Sequence, residues 1–242
     1  VLRADLGPDV ADAALVAMNE AAPVTERADG YVQDRASQEV AAAVEAAPGD
    51  RVLDVCAAPG GKTTFLAGQP GVSLVAADAR PGRLGLVRAN VDKLGQADRV
   101  ALLGQDGTRP ALRPGSFDRV LLDAPCSGLG SLRRRPDARW RITASDVADL
   151  AALQRRLVDA AVPLVRPGGV LVYSVCTLTA AEGPALDEHL ATAHPDLEAL
   201  PPPGDPWEPV GRGARLLPQT AGTDGMYVLR LRIPSGPAAA SR

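Results

Sequence analysis

A chain of 242 residues with 46% hydrophobic content has room for one large α/β domain and a short extra segment. The net charge of −3 argues against a protein that coats nucleic acid by charge alone, and no apolar run approaches the roughly 20 residues that span a bilayer. Three widely spaced cysteines, two histidines and no basic-then-apolar leader point away from a disulfide framework or a zinc site, and toward a cytoplasmic, metal-free monomer with reduced thiols.

In chain order, residues 1–29 are Ala-rich, with a helix expected over Asp9–Asn19 and ended by Ala21-Ala22-Pro23. A second helix is expected over Arg35–Ala47, broken by Pro48-Gly49-Asp50. Alternation then begins: strand Val52–Val55, a Gly-rich turn and helix, strand Val72–Ala77, helix Arg83–Leu94, then strands Val100–Leu103 and Phe117–Leu122. A helix over Asp149–Leu164 and a strand over Val170–Val175 follow, the strand introduced by Pro167-Gly168-Gly169. Pro201–Pro209 reads as a surface loop, Met226–Ile233 as a late antiparallel strand, and the tail from Pro234 as frayed. Strands alternating with helices imply a doubly wound, mostly parallel sheet. The domain reading is an N-terminal helical segment over 1–29, one catalytic domain over 30–233 and a flexible tail over 234–242.

The strongest local signal is Asp54–Thr64, directly after the first strand, where an open α/β sheet binds ligands. Adjacent Gly60 and Gly61 let a ligand approach the backbone, and a helix beginning near Thr63 would aim free N–H groups at it. Gly61-Lys62-Thr63 fits the end of a phosphate-binding P-loop, but Cys56 occupies its first glycine position, and a G-x-G-x-x-G fingerprint is absent. The remaining option is a methyltransferase loop, with Asp78 ending the second strand to accept ribose hydroxyls and Asp106 after the third to meet an adenine amino group. Loop capping would explain either acid alone.

Asp123-Ala124-Pro125-Cys126 ends the fourth strand and Ser174-Val175-Cys176 the fifth, so two thiols and a carboxylate should face the same crevice. Cys56 reads as inert packing. Carbon 5 of cytosine is a poor nucleophile; a thiolate adding at carbon 6 makes it enamine-like and able to take a methyl from a sulfonium. Asp123 is the candidate for the hydrogen bond or proton needed at nitrogen 3, and a second cysteine can assist release.

Gly30–Gln38 (GYVQDRASQ), Val52–Thr64 (VLDVCAAPGGKTT), Asp118–Trp140, Tyr173–Leu178 (YSVCTL) and Gly222–Tyr227 (GTDGMY) together resemble the RsmB/Sun-type RNA 5-methylcytosine methyltransferases over about residues 30–233. The resemblance implies a class I, Rossmann-like fold that uses S-adenosylmethionine. It implies that Cys176 is the nucleophile, that Cys126 assists release, and that the cofactor meets Cys56, Ala57, Ala58, Pro59, Gly60, Gly61, Lys62, Asp78, Asp106 and Asp123. Arg83, opening the helix after the second strand, is counted with these contacts. Arg133-Arg134-Arg135-Pro136-Asp137 looks closest to bacterial enzymes acting on small-subunit ribosomal RNA.

This sequence departs from the family in carrying Val175 for a Thr and Met226-Tyr227 for a Phe pair. Its Asn19–Thr25 also lies close before the GYVQD motif, which reads as a shortened RNA-recognition region. Eight Arg against four Asp in residues 130–166 offer a positive stretch for phosphates, and Trp140 a platform for a base. Three rival readings remain: a methyltransferase for another substrate, a non-catalytic RNA-binding or ribosome-assembly module, and a DNA-enzyme-like arrangement in which Cys126 attacks.

Overall fold

Val, Leu and Ala fill the central strands because both faces of the sheet are covered, so the strands read as apolar runs rather than as alternations. The computed structural model describes residues 1–235. Two short helices open the chain, α1 (Leu2–Leu6) and α2 (Pro8–Ala17), followed by α3 (Arg35–Ala42). Then come β1 (Arg51–Asp54), α4 (Gly61–Ala67), β2 (Ser73–Asp78), α5 (Pro81–Lys93), β3 (Val100–Gly104) and β4 (Phe117–Asp123). The second half holds α6 (Ala138–Arg141), α7 (Ala144–Ala161), β5 (Val165–Val175), α8 (Pro184–Ala193), β6 (Glu198–Ala199), β7 (Glu208–Val210), β8 (Gly213–Leu216), α9 (Pro218–Ala221) and β9 (Met226–Arg232).

The strand order is β3-β2-β1-β4-β5-β9-β8-β7, with β6 also on β9. Strands β1 to β5 pair in parallel, and β9 runs antiparallel to β5. The order reverses between β1 and β4, and a crevice opens there at the carboxyl ends of the strands. This is the Rossmann-like fold of class I S-adenosylmethionine-dependent methyltransferases. One face packs Val52, Leu74 and Ala76 against Val40 of α3, Leu66 of α4 and Val87 of α5. The other packs Leu53, Phe117 and Tyr173 against Leu157 of α7 and Leu190 of α8. A third cluster seats Leu2, Ala11, Ala14 and Met18 on Leu132, Ala138, Leu178 and Leu217.

The structure moves several expected boundaries. The helix expected over Asp9–Asn19 begins earlier, at Pro8, because Pro suits the first helical position and lacks the N–H orphaned there. The second helix stops at Ala42, and Glu45 takes a left-handed φ of 50° before the Pro48 break. Helix α7 starts at Ala144, ahead of the expected Asp149, because Thr143 and Asp146 form a reciprocal capping box. Strand β5 begins at Val165 and runs through the Pro-Gly-Gly segment expected only to introduce it. The region read as a surface loop over Pro201–Pro209 buries Trp207 and starts β7 at Glu208. Helix α8 and the β7–β8 hairpin were not expected. The expected frayed tail falls mostly beyond the described residues.

Candidate active site

The cofactor loop is built around the end of β1. Asp54 is fully buried, and its Oδ2 accepts the Thr63 hydroxyl at 2.7 Å, which ties the strand end to the first turn of α4. Burial pushes its carboxyl up to about 7, and its Oδ1 has no hydrogen-bond partner among the described residues while Asp54 lines the cleft. Gly60 sits at φ 107°, and a side chain there would press on the Val87 backbone at 3.2 Å. Around the loop, Ala57 N–H donates to Ala77 O at 2.9 Å, Arg83 donates to Ala58 O at 2.6 Å, and Asn90 donates to Pro59 O at 2.8 Å. Arg27 is buried beneath, donating to Gln33 and to Gly61 O and stacking on Tyr31. This clamp, which sequence reasoning missed, joins the GYVQD segment to the glycines; its only sequence signal is adjacency to that segment.

A cleft of about 440 Å³ brings together Cys56, Ala58, Pro59, Lys62, Arg83, Asp123, Cys126 and Cys176. A contiguous lobe of about 190 Å³ adds Asp54, Ala57 and Gly61. Asp78 and Asp106 line neither. Asp78 accepts the N–H of Ala58, a cleft residue, and of Arg80, and Asp106 accepts the N–H and hydroxyl of Thr108, so both cap loops. Cys56 faces the cleft, but burial first and the neighbouring acids next push its thiol up, which suits an inert sulfur.

The chemical end lies between β4 and β5. Lys62 Nζ donates to Asp123 Oδ2 at 2.7 Å, and Ser174 Oγ donates to Asp123 Oδ1 at 2.7 Å. Burial works against the Lys62 charge, but the attraction of Asp123 and its hydrogen bond outweigh it and raise the ammonium. Cys126 Sγ and Cys176 Sγ are 3.3 Å apart. The contact with Cys126 pulls the Cys176 thiol below its ordinary range; burial opposes this, as does Asp123, while Lys62 and Ser131 assist. The same contact, then burial, pushes Cys126 up. The two loops are locked by backbone: Gly130 N–H donates to Cys176 O at 3.1 Å, and a side chain at Gly130 would overlap Gly225 O at 2.2 Å.

The arginine triplet departs from the phosphate-binding expectation. Arg133 is buried and donates to Asp224 Oδ1 at 2.6 Å and to Asp34 Oδ2 at 3.2 Å. Arg134 binds the same two carboxylates. Asp34 precedes α3 and Asp224 precedes β9, so this four-charge cluster ties three distant segments together. Only Arg135 of the triplet is left exposed at the cleft without an ion pair among the described residues. Trp140 is 87% exposed on α6.

A Rossmann-like sheet whose switch point carries a glycine loop beside two facing thiols defines a methyltransferase-class domain. A sequence profile of the 16S rRNA methyltransferase RsmB/F family matches residues 41–232. A Mycobacterium tuberculosis protein named only as a methyltransferase is 45% identical over 226 residues, covering 87% of this chain and 47% of that protein. Ribosomal RNA small subunit methyltransferase B of Erwinia tasmaniensis is 39% identical over 203 residues, covering 83% and 46%. The crystal structure of NSun6 from Pyrococcus horikoshii with SFG superposes with a TM-score of 0.72 at 30% identity, covering 84% of this chain and 52% of that one. The chain belongs to the RsmB/F methyltransferase family. It spans about half the length of the curated relatives it matches.

Proposed function

We propose that the chain methylates carbon 5 of a cytosine in RNA, of the small ribosomal subunit, using S-adenosylmethionine. The observation that carries this reading is the pair of thiols 3.3 Å apart in one cleft with the Lys62–Asp123 ion pair. Neither a binding module nor an ordinary amine or hydroxyl methyltransferase has use for a polarised dithiol. The relatives named for ribosomal RNA supply the substrate class, and a neighbour determined with SFG, a cofactor analogue, supports the cofactor.

The cofactor would be held by Cys56–Lys62 and Arg83, on a loop that Asp78 braces through the Ala58 N–H, and would supply a methyl group on a sulfonium. The orphaned Asp54 Oδ1 and the side-chain-free Gly60 fit such a group. Cys176 then does the covalent work. Its thiolate adds to carbon 6, and the electron pair of the 5,6 double bond becomes available at carbon 5, which takes the methyl. Nitrogen 3 needs a hydrogen bond as charge develops; the Lys62–Asp123 pair provides it, with Lys62 carrying the N–H groups. Removal of the carbon 5 proton by a water in the open cleft restores the double bond and expels Cys176 as a thiolate, to which Cys126 donates a hydrogen bond as it leaves. The base must leave its stack to reach the cleft, so loops are better substrates than duplexes.

Incubation with methyl-labelled cofactor and small-subunit RNA, followed by digestion to nucleosides, tests the reading. The expected product is 5-methylcytidine. Label in any other nucleoside, or none with a folded protein and full-length 30S or naked RNA, contradicts it.

A further inference from the structure

Behind the two thiols lies a carboxylate that the mechanism above does not use. Glu182 is fully buried between β5 and α8. Its Oε1 accepts the Ser127 N–H at 2.8 Å and the Gln154 amide at 3.0 Å. Its Oε2 accepts the Ser127 hydroxyl at 2.6 Å and the Thr179 hydroxyl at 2.8 Å. Four donors on two oxygens form the set a carboxylate takes, and no cation pairs with it among the described residues. The Ser127 hydroxyl also meets Thr177 Oγ1 at 2.9 Å, and Tyr173 OH donates to Glu182 O at 2.7 Å. Ser127 follows Cys126 and Thr177 follows Cys176, so Glu182 grips the residue after one thiol directly and the residue after the other through the Ser127 hydroxyl.

We propose that Glu182 is a positioning residue that registers the two cysteine loops and makes Cys126 the thiol that donates to Cys176. This rests on the proposed methyltransferase reading only for its use, not for its geometry. The two thiols are chemically alike, and a dithiol in a symmetric setting would share its proton. Here the surroundings differ. Lys62 lies on the Cys176 side, where its charge favours a thiolate against Asp123, whose charge faces both thiols and opposes ionisation of each. Glu182 lies on the Cys126 side, where its charge joins the Cys176 contact and burial in disfavouring one. The nucleophile is thereby chosen before any base enters the cleft. Cys176 is the activated sulfur, and Cys126 keeps a proton with which to hydrogen-bond the Cys176 sulfur as it leaves.

Glu182→Gln separates the charge from the brace. The amide oxygen can still take the two N–H donors, while its NH2 faces Ser127 and Thr179, whose hydroxyls can turn to accept. The experiment is iodoacetamide alkylation of the reduced chain across pH 6 to 10, without RNA or cofactor, each thiol being quantified by peptide mass spectrometry. Wild type should alkylate Cys176 at a pH where Cys126 is silent. Glu182→Gln should raise Cys126 reactivity near pH 8 by about tenfold, one pKa unit of differential stabilisation. Ser127→Ala, which keeps the carboxylate and removes one hydroxyl, should stay within about twofold of wild type. An unchanged pH profile in folded Glu182→Gln overturns the assignment, as does a wild type in which Cys126 reacts first. A Glu182→Gln chain that does not fold also overturns it, by making the residue a support of the fold alone. Because no methyl transfer is read, a failure here is distinct from a failure to methylate cytosine.

Discussion

The carboxyl ends of β1 to β3 and those of β4 and β5 open on one crevice, yet they use their polar side chains in opposite ways. On the first side, Asp78 turns its oxygens to backbone N–H groups of its own loop and of the neighbouring glycine loop, and Asp106 to its own turn. On the second, Asp123 is held only by side chains, Lys62 and Ser174, and faces the cleft with both thiols. An acid at a strand end can therefore shape a site by capping the loop that forms it, or can stand in it. Strand position alone does not say which; the accounting of nearby backbone donors does.

The contrast can be broken by a graded series. The double change Arg133→Ala with Arg134→Ala should have the largest effect, since together they strand the side chains of Asp34 and Asp224; unfolding stability should drop by about 3–5 kcal/mol, read by thermal or denaturant melts. Arg135→Ala should leave the melt unchanged and weaken RNA binding with a shallower salt dependence. Asp123→Ala should come next, lowering turnover by about 10²- to 10³-fold with cofactor affinity nearly kept. Asp78→Ala should weaken cofactor binding by about 1–3 kcal/mol in calorimetry, because the loop loses its cap. Asp106→Ala should change cofactor binding least, since its turn is exposed and water can replace it. If Asp106→Ala abolishes cofactor binding while Asp123→Ala leaves turnover intact, the two sides have been assigned the wrong way round.

The parallel sheet, the glycine loop and both thiol-bearing strand ends were legible because each is a local signal: an apolar run, then a turn residue, then a helix start. Asp123, Cys126 and Cys176 meet as their strand ends require. Less was legible where the signal is long-range. The Arg133 cluster joins positions 34, 133, 134 and 224, and a basic triplet looks the same in sequence whether it meets phosphate or buried carboxylates. Glu182 was missed because a lone acid among small residues, Ala180-Ala181 before it and Gly183-Pro184 after, shows nothing of the donors that fold around it. The Pro201–Pro209 segment misled because Pro and Gly marked a loop while Trp207, its one large apolar residue, anchors it to the core. Helix α7 could have been placed correctly from Thr143-x-x-Asp146, a start signal readable in the sequence.

The central claim is that Cys176 attacks and Cys126 releases, and trapping with RNA containing 5-fluorocytosine tests it most directly. Fluorine at carbon 5 cannot leave as a proton does, so the covalent complex persists on a denaturing gel. Wild type and Cys126→Ala should form the adduct with cofactor present, and Cys126→Ala should also accumulate one on ordinary cytosine. Cys176→Ala should form none. An adduct with Cys176→Ala and none with Cys126→Ala would reverse the two roles, and no adduct from any of the three on an RNA that wild type methylates would contradict the covalent mechanism.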